Sequence, residues 1–246
     1  MSTPRVVAFI QARLTSTRLP NKVLAKIGPW TALELMLKRL EKAKTLNEVV
    51  LLIPDTKQNE PLSKYIENEL KCPYVMGDEH DVLSRFVKAA AMNPADFFVR
   101  LTADCPLISP TIVDDVVRLT VGCNADYGAN VNPPTFPDGF DVECFSSRSL
   151  QWIDKHADTP RWREHVTLVL REHPGIPSDF KFVNLTRNGE SAVSVRLTLD
   201  YPEDLTVFQQ LYERFGLRLL ELTCDELIEI YQSSNIGQIN GGHAHQ

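Results

Sequence analysis

Several groups of residues in this 246-residue chain could do chemistry. The loop Gln11–Lys22 (QARLTSTRLPNK) holds three cations, Arg13, Arg18 and Lys22, beside three hydroxyls, Thr15, Ser16 and Thr17. Such cations, with the backbone N–H groups of the loop, can hold a polyphosphate. The glycines and the G-K-[ST] ending of a Walker A loop are missing, and a solvated loop is the competing reading. Asp104 and Asp200 each follow a predicted strand. Two carboxylates meeting at one point can hold Mg²⁺ against a triphosphate. Taken singly, Asp104 could be a turn residue and Asp200 a helix N-cap. Asp138, Asp141 and Glu143 crowd one turn (PDGFDVE) and suit acceptor hydroxyls, or the turn is purely structural. Arg163 and His165, near Glu164 on one predicted helix, suit an acidic or phosphorylated acceptor or form a charged helix face. Cys105 has no evident His/Asn partner set and is not read as a nucleophile.

The elements that must position these groups alternate. Continuous apolar runs at 5–11, 48–53, 73–76 and 96–102 read as buried parallel strands. Helices are expected at 31–44, opened by a Thr31/Glu34 capping box, and at 61–70, 81–92 and 110–119. This pattern implies βαβ units, with helices on both faces of a mostly parallel sheet and ligands beyond the carboxyl ends of the strands. Gly77 to Arg85 opens a helix after the third strand. Its backbone could read a base edge, with Asp81 or Arg85 fixing base or ribose, or it is a capped helix with Arg85 solvated. After Thr120 the pattern changes: 130–139 is irregular, strands are expected at 140–145, 180–185 and 193–199, and helices at 147–156, 161–172, 202–215 and 225–231. One domain over 1–240 is expected. Its nucleotide-binding half is 1–122, its inserted acceptor-binding and dimer segment 123–200, and 241–246 a disordered tail.

The net charge of −6 argues against a general nucleic-acid binder. No apolar run has transmembrane length, and the N-terminal stretch is too short for a signal peptide. The five scattered cysteines, with no CxxC pair, read as reduced thiols in a cytoplasmic protein.

The stretch VVAFIQARLTSTRLPNKVL resembles the start of the SpsF-type cytidylyltransferases of spore-coat and surface polysaccharide synthesis, and more distantly the CMP-Kdo and CMP-acylneuraminate synthetases. Arg13, Ser16, Arg18, Leu19, Pro20 and Lys22 match the pattern. Asn21 stands where a glycine is common, and Asn tolerates a positive φ. GDEHDVLSRF, VRLTADCPLISP, NPPTFPDGFDVECF, REHVT and LTLDYPEDL extend the likeness over about residues 5–215. It implies a Rossmann-like three-layer α/β sandwich of the GT-A nucleotidyltransferase type. It implies Mg²⁺ on Asp104 and Asp200, with Arg13 and Lys22 also catalytic. Ala12, Arg13, Leu14, Ser16, Arg18, Lys22, Gly77, Asp81, Arg85 and Asp104 would bind nucleotide. Arg100, Asp138, Asp141, Glu143, Arg163 and His165 would bind acceptor. The partners implied are CTP and a sugar or sugar acid, in a cytoplasmic homodimer with no nucleic acid and no membrane. A guanylyl- or uridylyltransferase acting on a sugar 1-phosphate stays open. So does a non-catalytic nucleotide-sugar-binding protein, although the intact Arg13, Lys22, Asp104 and Asp200 argue against it.

Overall fold

A computed structural model describes residues 3–243. Its strands are β1 (Val6–Gln11), β2 (Lys26–Ile27), β3 (Trp30–Thr31), β4 (Glu48–Pro54), β5 (Tyr74–Gly77), β6 (Phe97–Thr102), β7 (Tyr127–Ala129), β8 (Glu143–Ser146) and β9 (Phe182–Asn184). Its α-helices are α1 (Ala32–Leu40), α2 (Glu60–Tyr65), α3 (Val82–Met92), α4 (Pro110–Gly122), α5 (Ser147–His156), α6 (Pro160–His165), α7 (Val169–Glu172), α8 (Pro202–Phe215), α9 (Cys224–Ser233) and α10 (Ile236–Asn240). Seven strands form one sheet in the order β5-β4-β1-β6-β8-β7-β9, in which only β8 runs against the others.

The continuous apolar runs work because both faces of the sheet are covered. Val6, Ala8 and Ile10 of β1 join the core cluster that includes α1, α4, α8 and α9. Val7 and Phe9 join the opposite cluster with α3, α5 and α7. Phe9 stacks on Phe98 with ring centroids 5.0 Å apart and meets the edge of Phe86 at 5.6 Å. The result is the expected three-layer sandwich. Among the described residues no helix is long and apolar enough to cross a membrane.

Local chemistry sets most helix starts. The Thr31/Glu34 capping box forms at α1, and Asp81 and Ser109 cap α3 and α4. The first helix ends at Leu40 rather than near Lys44. The buried Asp114 carboxylate accepts from the N–H groups of Lys44 and Thr45, each at 2.9 Å from Oδ1, and so draws that turn away from helix.

Two expectations are corrected. The helix expected over 161–172 breaks at Val166, where φ is 49°, into α6, a 3₁₀ turn and α7. The break buries Val166 and lets Thr167 Oγ1 donate to Glu143 at 2.7 Å. Residues 193–199 are not a strand of the sheet: 193–194 form a turn, with Val195 N donating to Ala192 O at 2.9 Å. Val195, Leu197 and Leu199 alternate into the core as a strand would. Their backbone partners are loops: Leu197 N donates to Asp138 O at 2.8 Å, and Leu199 N to Asp104 O at 2.8 Å. Of the tail expected to be disordered, His243 lies flat on Tyr201 with ring centroids 3.9 Å apart, and 244–246 fall outside the described residues.

Gly139 lets the 130–139 loop close on the 193–199 segment. Its φ is +106°, and a Cβ there would lie 2.3 Å from Leu197 O. Strain at positive φ adds to that overlap with backbone. Gly139→Ala should therefore destabilise the protein by more than about 1 kcal/mol in chemical denaturation. Unchanged stability would show that this loop is free to move away.

Candidate active site

The carboxyl ends of the parallel strands open into a cleft of about 650 Å³. One wall is the Gln11–Lys22 loop, with Asp104 and Cys105 after β6. The other includes Asp138, Asp141, Glu143, Glu164, His165 and Arg171.

Three chain segments meet at its centre. Lys22 Nζ donates to Asp104 Oδ2 at 2.8 Å and to Asp200 Oδ1 at 2.5 Å. Asn21 makes this possible: it holds the left-handed φ of 58° that the sequence allowed, and the 3₁₀ turn Lys22–Leu24 starts just after it. Burial pulls the Lys22 ammonium down, but Asp104 and Asp200 outweigh it and hold its pKa above the usual lysine value. Burial pushes Asp104 up, and the Lys22 charge outweighs that to hold the carboxyl below its usual range. Arg18 adds a second cation, 3.1 Å from Asp200 Oδ2 and over the Tyr201 ring.

Below Asp200 lies a buried network. The Asp204 carboxylate accepts from the backbone N–H groups of Asp200 and Tyr201, each at 2.9 Å. Asp204 and not Asp200 thus serves the start of α8. Arg196 reaches Asp204 with two nitrogens, at 3.1 and 3.0 Å, and Asp138 with a third at 2.8 Å. Asn240 of α10 also donates to Asp204, at 2.8 Å. Sequence reasoning missed Arg196, Asp204 and Asn240. A usable signal existed: Arg196, Thr198 and Asp200 are polar at every second position of an apolar extended run, which places them on one side.

The other residues expected to bind nucleotide divide. Arg13 is exposed at the cleft and has no ion-pair partner among the described residues. Ser16 and Ala12 line the cleft, whereas Leu14 is buried in the core with its N–H on Asn59 Oδ1 at 2.8 Å. Arg85, expected on a solvated face if not on nucleotide, is 2% exposed and lines the cleft. Burial, then the nearby Arg13, lower its pKa to about 10, so it stays charged at neutral pH. Gly77 lies behind it, because a Cβ there would come within 2.8 Å of Arg85 Cγ. Asp81 and Arg163 do not line the cleft; they pair with each other at 2.8 Å, tying α6 to the cap of α3.

On the acceptor side, Glu143 is fully engaged. It pairs with Arg100 and accepts from Tyr127 at 2.6 Å and Thr167 at 2.7 Å. Asp138 is held by Arg196 and by Thr198 at 2.5 Å. Asp141 opens onto the cleft, crowded by other carboxylates. Although the residue is exposed, the protein atoms around its carboxyl, then Asp138, Glu143 and Asp104, raise its pKa to about 7 against the pull of Arg100. His165 borders the same space, its pKa lowered by burial. Cys105 is buried with its thiol pushed well up by burial and by Asp104, which fits no nucleophilic role.

Buried polar atoms without partners are costly, and a site that awaits a ligand is one place they persist. Among the described residues three side-chain atoms are in this state: Gln11 Oε1, Arg85 Nε and Arg100 Nε. All three residues line the cleft.

The donor set also fits a divalent cation. Among the described residues no cluster of three or more His, Cys, Asp or Glu could hold a metal; the two carboxylates that share Lys22, Asp104 and Asp200, are the groups that would hold one. Mg²⁺ is commonly held by one or two carboxylates, with phosphate oxygens and water completing its shell. The Lys22 ammonium already occupies the place between the two carboxylates that a cation would take.

Known proteins resemble this chain in sequence and fold. The chain is 33% identical over 216 residues to an uncharacterised protein of Methanocaldococcus jannaschii, covering 87% of this chain and 85% of that one. It is 29% identical over 231 residues to the spore coat polysaccharide biosynthesis protein SpsF of Bacillus subtilis, covering 92% and 93%. The structure of a cytidylyltransferase from Leptospira borgpetersenii superimposes with a TM-score of 0.87 at 29% identity, over 98% of this chain and 99% of that chain. A CMP-2-keto-3-deoxy-manno-octonic acid synthetase, solved with CTP, shares the fold with a TM-score of 0.62 at 16% identity, over 85% and 99%. A family model described as cytidylyltransferase matches residues 7–232, and the chain belongs to that family.

Proposed function

We propose that the protein transfers CMP from CTP to a sugar acid, releasing pyrophosphate and supplying a CMP-sugar for a surface glycan. The observation that carries this reading is the meeting of Lys22, Asp104 and Asp200 at the cleft. Arg13, Arg18 and Lys22 hold the β- and γ-phosphates. The acceptor oxygen attacks the α-phosphorus in line, the new P–O bond forms, and the bond to the β-phosphate oxygen breaks. Such chemistry depends on positioning and charge neutralisation more than on covalent help. Mg²⁺, when bound on Asp104 and Asp200, would supply charge stabilisation at the α-phosphate. Asp141, the open carboxylate of the acceptor wall, orients the acceptor hydroxyl and takes up its proton. The reading includes a cytoplasmic location and a homodimer; the edge position of β9 and the exposed Phe182 on it support the homodimer.

Pyrophosphate release with each nucleoside triphosphate and a panel of sugar acids and sugar 1-phosphates tests the reading. CTP with a sugar acid should turn over fastest, and turnover confined to GTP or UTP with a sugar 1-phosphate would overturn it.

In the same assay Asp104→Asn and Asp200→Asn should each lower kcat by about a thousandfold or more, with little change in CTP affinity. Near-normal kcat at limiting Mg²⁺ in either variant would remove that residue from the metal site.

Asp141 predicts a pH dependence. The kcat/KM for acceptor should rise with pH through about 7 as the carboxylate forms. The folded state binds this proton more tightly than the unfolded chain does. Ionisation therefore removes stability as pH climbs from about 4, the unfolded pKa, through the folded value. Asp141→Asn should lose the kcat/KM limb and flatten the decline of Tm over that window. A parent-like profile in the variant would assign the limb to another group.

A further inference from the structure

Lys22 stands in two roles that exclude each other in time. Its ammonium fills the place between Asp104 and Asp200 at 2.8 and 2.5 Å, yet the proposed reaction needs it on the triphosphate. The carboxylate pair is already compensated. Asp104 and Asp200 face Lys22 and Arg18, and Arg196, shared by Asp204 and Asp138, also stands 3.6 Å from Asp200. A divalent cation arriving alone would meet these resident cations in a partly buried setting. A triphosphate arriving alone would have to draw Lys22 away and leave two adjacent carboxylates uncompensated. The two steps together leave the carboxylate pair facing the divalent cation and free Lys22 for the triphosphate.

Movement of Lys22 needs no rearrangement of the fold. The backbone at Lys22 is held by Leu24 N on Asn21 O at 2.8 Å and Ala25 N on Lys22 O at 3.0 Å. The ammonium sits on a four-carbon stem that can swing by rotamer change alone. Arg13 waits exposed on the same loop as a first contact for the incoming phosphates.

We propose that Lys22 is a resident counter-ion that keeps the Asp104–Asp200 pair closed to divalent cations until a triphosphate withdraws it, so that nucleotide and cation bind with positive coupling. This rests on the reading of that pair as the cation ligands. Coupling of this kind is reciprocal, because each ligand must strengthen the other by the same factor. The pair is thereby protected from holding a cation in the absence of nucleotide.

Two titrations test it, neither dependent on turnover. Mn²⁺ binding without nucleotide, followed by electron paramagnetic resonance, should be about tenfold tighter in Lys22→Gln than in the parent protein, within the usual range of such couplings. CTP binding in EDTA, followed by calorimetry, should be tighter in Asp104→Asn than in the parent, because Lys22 is then held by one carboxylate only. That gain should vanish when Asp104→Asn is made in the Lys22→Gln background, which separates release of Lys22 from simple loss of repulsion. Lys22→Met and Asp200→Asn repeat both arms should one variant fold poorly. Unchanged Mn²⁺ affinity in both Lys22 variants, or a CTP gain that survives without Lys22, overturns the proposal. The cation site itself fails separately, if Mn²⁺ bound together with CTP is retained in both Asp104→Asn and Asp200→Asn.

Discussion

Everything in the cleft depends on holding two carboxylates beside each other in a partly buried place. Asp104 and Asp200 are distant in sequence, and their like charges would repel strongly away from water. Lys22 resolves this from the end of the Gln11–Lys22 loop, and Arg18 from within it. The loop and the carboxylates therefore define each other. Without the loop the carboxylates lack their cations, and without the carboxylates Lys22 would be a buried charge without a partner, which is costly.

The support for Asp200 is electrostatic and backbone-based, and it explains why the segment before it is not in the sheet. A sheet strand would spend its N–H and C=O groups on a neighbouring strand. Here Leu197 and Leu199 spend their N–H groups on Asp138 and Asp104, one on each wall of the cleft. The segment acts as a cross-brace, with its apolar residues anchored in the core and its polar ones facing the cleft. Arg196 extends the brace by touching Asp138 on the opposite wall and Asp204 beneath Asp200 with one planar group.

Much of this was legible in the residues. The β1-loop pattern, the Thr31/Glu34 box and the Asn21 turn are local signals, and each took the form its chemistry required. The four parallel strands were legible because a strand covered on both faces is a plain apolar run. Features fixed by distant partners were not legible. The end of α1 depends on Asp114 of α4, and the break at Val166 accompanies a bond from Thr167 to Glu143. The pairing of Asp81 with Arg163 needed knowledge of how α6 lies on α3. The run 193–199 had the alternation of a strand, and alternation reports burial on one side but not which backbone lies alongside.

The bond from Asn240 to Asp204 gives the site a position in time. Lys22 precedes Asp200 by 178 residues, so the basic loop is translated well before the acidic residue that balances it. The carboxylate that steadies the Asp200 backbone, Asp204, receives its Asn240 donor only once α10, later still in the chain, docks. Docking of α10 therefore closes a network whose other members lie far apart along the chain.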